Sequence, residues 1–548
     1  MTTGAAAAVT GAAVTSPLGT SPAGTPLLPD VTAQGVRTPG RVLLVNPRIS
    51  SRRKARFPLS VLTLAGWLEG QYDATIIDGN IERDGVSATL RAMSSAPFDA
   101  VGVSIMGGPQ VQSAIEVSKA IRANFPGTPI IWGGYFPSLY PAVALNAPYV
   151  DYVVRGQGED TFLALLNTLR GADGGVQGSE VGSDELGAID GLTWRRDAET
   201  VHNHDRAFSP PRSVSRLPYE KLGDPRQYLA KTFMGQRTAV YQLALGCRFR
   251  CTFCGVAAMF RGATALAPAE RVEQDLIHLR DHLGADSIQF YDHNFFDREE
   301  DMIPVLEVLA RQRLPWWCYA RADALLNLSP ESWSLVRKSG LRMAYIGAES
   351  PSDALLKSIR KGTKADQTLA VADLCRRNGV IPELSFMVAP PNDPEGETER
   401  TFEFIREIKR VNPQSEIIVY VYTPVPADSL PANSRSRAAA TTLLDLNGDP
   451  IRFPRTPEEW TEKKWVDYAC HADAPWMTDR LRRRIRNFVT VLGCRFPTVQ
   501  DARSPAWTKS TLRLLASWRY RFRLYDRPWE LNLSKKLVQL ADPRVSSL

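Results

Sequence analysis

The sequence predicts an α/β protein built from a doubly wound, Rossmann-like domain, a partial (β/α)6 barrel and a helical C-terminal part. Two patterns carry this reading. Short apolar runs of strand length alternate with segments of helical period from residue 41 to about residue 425, which calls for parallel sheets covered by helices. In addition, three cysteines, Cys247, Cys251 and Cys254, follow an apolar run over 239–245 that ends at Gly246. That places a reactive loop at the carboxyl end of a strand, where α/β barrels keep their chemistry.

In chain order, residues 1–38 are rich in Ala, Thr, Gly and Pro, with no positive n-region and no compact apolar core. They do not read as a signal peptide and are expected to be disordered. A first domain is expected over 39–185, with strands at 41–46, 74–78, 100–105 and 129–134. Helices are expected around 59–70, 85–93 and 111–125 between them. A sheet of this kind binds ligands at the carboxyl ends of its strands. The candidate contacts there are Ser104, Gly107, Gly108, Gly133, Gly134, Gly156, Gly158 and Glu159, glycine allowing a large flat ligand to approach the backbone. Any doubly wound sheet also needs glycine in tight turns. A nucleotide domain would show G-x-G-x-x-G after its first strand, and this one does not.

Residues 186–232 read as a hairpin and a proline-punctuated linker broken at Ser209-Pro210-Pro211. His202 and His204, the first histidines of the chain, lie there and fit exposed linker residues better than a metal pair. The barrel is expected over 233–425, its later strands within SIQFYD, PWWCYARAD, MAYIGAES, PELSFMVAP and EIIVYVYTP. Residues 426–548, with Trp460, Trp465, Trp476, Trp507, Trp518 and Trp529, are expected to be helical and to cap the barrel mouth.

The cysteine spacing, C-x3-C-x2-C, suits an iron–sulfur cube held by three thiolates, leaving one iron open to a small molecule. A structural zinc site wants four ligands, and none lies near the triad: the next His after it is His278 and the next Cys is Cys318. Seven cysteines in 548 residues are too sparse and too odd in number for a disulfide framework and suit a reducing compartment.

With Phe253 between its last two cysteines, the run resembles the C-x3-C-x-Φ-C signature of the radical S-adenosylmethionine (SAM) superfamily. The PL-x4-LA run at 58–65, the GGxxP at 133–137 and the RGxGE at 155–159 are similar to the cobalamin-dependent branch, most like its C-methyltransferases. This resemblance implies a cobalamin-binding first domain, a radical SAM barrel, and three cofactors: a [4Fe-4S] cluster on the cysteines, SAM, and methylcobalamin. Many cobalamin domains carry a D-x-H-x-x-G loop whose His ligates cobalt. It is absent here, so the resemblance implies cobalamin with no His of this domain on the metal.

By the same resemblance Asp292 borders the methionine moiety of SAM, Arg321 and Asp323 lie on the conserved arginine strand, and Glu349 contacts the ribose. A carboxylate suits an ammonium, and a guanidinium suits a carboxylate. Buried ion pairing between strand ends, with Arg321 and Glu349 as partners, is the alternative for these residues. His293 is a candidate acid or base, and Cys318 reads as a small buried hydrophobe. The PEGETER run at 394–400 resembles the family's PGET segment with an altered approach.

The implied activity is radical methylation of an unactivated carbon in a small, natural-product-type molecule, free or carrier-bound, with flavodoxin or ferredoxin as electron donor. Cyclisation or rearrangement with the same cofactors, and a non-catalytic iron–sulfur carrier, are the competing functions. A methylthiotransferase would want a second cysteine cluster. No apolar stretch is long enough to cross a membrane, so a cytoplasmic protein is expected. A net charge of +7, with arginines clustered in 480–486 and 517–523, fits solvated helix faces or a phosphate-bearing partner better than nucleic acid.

Overall fold

The structure is a computed structural model that describes residues 39–171, 181–208, 217–426, 443–500 and 506–538. The segment expected to be disordered and the Ser209-Pro210-Pro211 break lie outside the described residues.

Five parallel strands form the first sheet: β1 (Gly40–Asn46), β2 (Tyr72–Asp78), β3 (Ala100–Ser104), β4 (Ile130–Gly133) and β5 (Tyr152–Val154). An antiparallel hairpin, β6 (Leu192–Arg196) and β7 (Glu199–His202), extends it to the order β2-β1-β3-β4-β5-β6-β7. Chain order reverses at β1 and β3, the crevice where doubly wound sheets take ligands. The near-continuous burial of Val42, Leu43, Leu44 and Val45 shows both faces of β1 covered, as parallel sheets require. The hairpin is thus a continuation of the first sheet, with Arg155 clamping it. Its guanidinium donates to Leu192 O (2.7 Å), Asn203 O (2.7 Å) and Asp205 (3.2 Å). β5 is too short for its apolar run to stand out in the sequence.

The barrel sheet contains β8 (Thr238–Tyr241), which is followed by the small antiparallel pair β9 (Ala244–Gly246) and β10 (Thr264–Leu266). The remaining barrel strands are β11 (Ser287–Phe290), β12 (Trp316–Ala320), β13 (Leu341–Glu349), β14 (Ile381–Val388) and β15 (Glu416–Val421). The six, β8 and β11 to β15, are parallel and in sequential order, the open barrel that the alternation predicts.

The C-terminal part divides in function. Up to Met477 it covers the two sheets' loops: Trp460 packs on Tyr140 (4.5 Å between ring centroids) and Phe136 (5.8 Å), and Trp476 donates to Ala389 O (2.8 Å) just past β14. The helices Asp479–Arg495, Ala506–Arg521 and Trp529–Val538 lie instead along the barrel flank. There Phe488 stacks on Phe402 at 3.8 Å. Gln500 reaches under the barrel to Glu383 (2.5 Å).

Candidate functional site

The apolar run 239–245 was expected as one strand, but the structure breaks it after Tyr241. Asp292, fully buried just beyond β11, accepts the Leu243 N–H (2.8 Å) and the Ala244 N–H (2.5 Å). Those amides are drawn out of the barrel ladder, and the chain turns to form β9 and the cysteine loop. Asp292, expected beside a ligand's ammonium, anchors these two backbone amides through Oδ1. Burial pushes its carboxyl up to about 7, and its Oδ2 has no hydrogen-bond partner among the described residues.

The loop that follows carries three free thiols, Cys251 buried and Cys247 and Cys254 partly exposed. Burial pushes the Cys247 thiol up to about 11, opposed by the Phe249 N–H directed at its sulfur. Burial raises Cys254 likewise, against the N–H groups of Ala257 and Val256. Soft thiols on one loop, with backbone donors aimed at the sulfurs, are the donor set a cluster needs. Among the described residues no three His, Cys, Asp or Glu side chains converge as a single-ion site does.

The barrel's strand ends support this loop from below. Thr252 N–H donates to Ile359 O (3.0 Å), and the Arg321 guanidinium lies 3.5 Å from the centroid of the Phe249 ring. Arg321, 5% exposed, also forks onto Asp323 (3.0 and 2.9 Å) and donates to Lys361 O (2.7 Å). Glu349 pairs with Lys361 Nζ at 2.7 Å, both side chains buried. The pairing of Arg321 with Glu349 that the sequence suggested is therefore not formed.

Glu349 holds φ at +64°, where β13 shifts register against β14. Left-handed backbone at a bulky residue is costly and collects at functional sites. Gly347 makes room for the pair, since a Cβ there would stand 2.2 Å from Glu349 Oε1 and 2.6 Å from Lys361 Nζ. Lys361, whose charge reaches Cys254, is a site residue the sequence reading missed. It sits among other basic residues in KSIRKGTK, and only the fold distinguishes it.

Beside Gly246, His293 donates to that residue's carbonyl. Burial pushes its imidazole down to about 4, and its Nδ1 is without a partner among the described residues. It is thus a neutral ring with a free acceptor. Inside the barrel, Tyr319 packs edge-on against Trp317 (4.6 Å) and Tyr345 (5.0 Å), and the Tyr345 and Tyr420 hydroxyls are 2.6 Å apart. Glu383 lies toward the strand starts, accepting from Trp317 Nε1 (3.0 Å), and burial pushes it up to about 7. Cys318 is fully buried, as expected.

The first sheet's loops meet this assembly. Tyr135, directly after Gly134, accepts the Gly255 N–H through its hydroxyl, one residue beyond Cys254. Gly156 (φ +69°) would bring a Cβ within 3.5 Å of Met259 O, and Gly108 (φ +56°) within 2.9 Å of Cys470 Sγ. Gly134 (φ +95°) is required by the sheet itself, because a Cβ would meet Ile105 N and O at 2.9 Å. Gly133 and Gly158 lie against Val154. Gly107 (φ +123°) is different: its nearest neighbour would be Phe136 at 3.8 Å, leaving an open backbone edge. Ser104 Oγ donates to Ser60 (2.9 Å), and Glu159, opening the helix Glu159–Arg170, has a buried Oε2 without a partner among the described residues.

These loops offer open backbone and an orphaned carboxylate oxygen, which fits a large polar ligand. They offer no imidazole. His202 is half-buried on β7, with its Nδ1 2.9 Å from Thr193 Oγ1, and burial pushes it down to about 4. It is therefore not the exposed linker residue expected, whereas His204 is exposed.

A Rossmann-like ligand domain whose loops close on a three-cysteine loop at a barrel mouth defines an α/β enzyme carrying two cofactor sites. The B12 binding domain model matches residues 50–166 and the radical SAM superfamily model residues 241–405. The chain belongs to the cobalamin-dependent radical SAM enzymes, and its cofactors are a [4Fe-4S] cluster, SAM and cobalamin.

An uncharacterized methyltransferase of Pyrococcus horikoshii is 24% identical over 376 residues, covering 67% of this chain and 78% of that protein. An anaerobic magnesium-protoporphyrin IX monomethyl ester cyclase of Synechocystis is 22% identical over 394 residues, covering 70% and 74%. The fold is similar to that of the cobalamin-dependent SAM radical enzyme OxsB with aqua-cobalamin and SAM bound. The TM-score is 0.62 at 17% identity, covering 93% of this chain and 77% of that one. Among the described residues no helix is long and apolar enough to cross a membrane.

Proposed function

We propose that this enzyme is a C-methyltransferase acting on an unactivated carbon of a small, natural-product-type molecule, free or carrier-bound. The observation that carries the reading is the packing of the Tyr135 hydroxyl on Gly255, where an added Cβ would stand 2.2 Å from the hydroxyl oxygen, which sets the ligand edge of the first sheet against the cysteine loop. When bound, the cluster with SAM supplies a hydrogen-abstracting radical, and cobalamin supplies the methyl group.

The chain's own residues position and seclude. Cys247, Cys251 and Cys254 hold the cluster. The Arg321–Asp323 and Lys361–Glu349 pairs keep the loop's floor rigid and set charge beneath it. Ser104, Gly107, Gly108, Gly133, Gly134, Gly156, Gly158 and Glu159 form the cobalamin edge. The Trp- and Tyr-rich interior excludes water, which keeps reactive species from being quenched. His293 is suited to accept a hydrogen bond from substrate at Nδ1. A flavodoxin or ferredoxin serves as electron donor.

The test is anaerobic turnover with methyl-labelled SAM and candidate metabolites, followed by mass spectrometry. Label in the product is expected. Product formed with 5′-deoxyadenosine but without label would refute methyl transfer and favour the second reading, a cyclase. That reading draws on the cyclase relative, which is nearly as similar as the methyltransferase one.

A further inference from the structure

Remote from the cysteine loop, a cavity of about 630 Å³ opens where β14 and β15 begin, lined by Ile381 and Glu416 at those strand starts. Its walls come from the last turns of the helix Pro394–Val411 and from the C-terminal helices. Five cations line it: Arg406, Lys409, Arg410, Arg495 and Arg513. Among the described residues the one carboxylate in the lining is Glu416, which accepts the Val499 N–H at 2.8 Å.

A cation at a helix C-terminus is ordinary, because it complements the helix dipole, and that accounts for Arg410 and Arg495 taken singly. Lys409, in the same last turn and 7% exposed, has its ammonium held by backbone carbonyls of Pro413 and Ser415, with no carboxylate in hydrogen-bond contact among the described residues. Arg406, 8% exposed, donates to the Tyr525 hydroxyl (2.9 Å) and to the carbonyls of Tyr520 and Arg521, and its nearest carboxylate among the described residues, Glu403, stands 3.6 Å away and is itself bonded to Arg523. The buried Tyr520 hydroxyl in the wall has no hydrogen-bond partner among the described residues. Burial pushes Lys409 down to about 8, opposed by the Glu416 carboxylate and reinforced by Arg495. Concentrating like charge around a partly enclosed space is unfavourable unless an anion fills it.

We infer that this cavity is a second ligand site, taking a phosphate ester with at least two negative charges and a body about the size of a nucleotide. The volume falls within the range of small-molecule pockets, roughly 300 to 1,000 Å³. Guanidinium forks match phosphate oxygens bidentately, and Tyr520 adds a neutral donor. Ile381, Pro413 and Pro497 form an apolar wall for the non-phosphate part. Two sources share this chemistry: a free nucleotide, and a phosphopantetheine-type group such as coenzyme A.

The test titrates ADP, coenzyme A and inorganic pyrophosphate calorimetrically into the reconstituted full-length enzyme, with SAM saturating so that its own site is occupied. Saturable binding of at least one is expected. The double variant Arg410→Gln/Arg495→Gln should weaken it about tenfold or more, since each lost charged hydrogen bond is worth about 1.5–3 kcal/mol. The same change at the exposed Arg91 of the first domain should leave binding unaltered. Tighter binding of ADP assigns a free nucleotide, and tighter binding of coenzyme A a pantetheine carrier. Absence of binding by all three, or binding indifferent to the double variant, overturns the inference. So does capture of an acidic flavodoxin in their place, which would make the cavity a protein-docking site.

Discussion

Replacing Asp292 with Asn isolates the energetic consequence of its burial. The carboxyl is held near 7 in the folded chain against an ordinary 3.8, with burial as the main cause. At about 1.4 kcal/mol per unit, a shift of about three units sets a ceiling of about 4 kcal/mol. The sign follows from proton counting. Between about pH 4 and pH 7 the folded state holds a proton that the unfolded state has released, so stability falls as pH rises through this window and stays reduced above it. The Asp292→Asn variant keeps an Oδ1 acceptor for the Leu243 and Ala244 amides and removes the charge. It should be about 2–4 kcal/mol more stable than the parent at pH 8, and within about 1 kcal/mol of it at pH 4.5. Urea denaturation of the reduced apo-protein, followed by tryptophan fluorescence at both pH values, measures this. SAM affinity of the reconstituted variant should change less than about twofold. Lower stability at pH 8 would refute the anchoring role. A collapse of SAM affinity at unchanged stability would return Asp292 to the ligand.

Two further perturbations test the floor and the ligand edge. Lys361→Met leaves Glu349 buried without its ion pair and should cost about 3–5 kcal/mol by urea denaturation, with Lys361→Met/Glu349→Gln recovering part of that loss. Gly134→Ala forces a Cβ to within 2.9 Å of Ile105 N and O at φ +95°. It should destabilise the apo-protein by about 2–4 kcal/mol, against about 1 kcal/mol for Gly107→Ala, where only backbone strain applies. Equal effects on urea midpoints would contradict the distinction drawn between the two glycines.

What the sequence disclosed was local. Apolar runs such as 41–46 and 100–105 announced their strands, and the cysteine spacing announced its loop, because each signal is contained within a few residues. What it concealed was contact between distant residues. The break after Tyr241 depends on a carboxylate about fifty residues further on. The partner of Glu349 is Lys361 rather than Arg321 because the register shift at Gly347 turns Glu349 toward the loop after β13. Tyr135 gave no sign that its hydroxyl would meet the residue after Cys254. His202 looked like a linker residue because the hairpin can be read from the sequence but its pairing onto β5 cannot.

The C-terminal part fastens onto the rest of the molecule through, among others, Trp460 against Phe136 and Tyr140, Trp476 on Ala389, and Gln500 on Glu383. The strands of both sheets precede Trp460, Trp476 and Gln500 in the sequence. Glu383, already held by Trp317 within the barrel, gains its second donor from Gln500. The packing around the two sheets' loops is thus completed by residues that follow both sheets in the sequence.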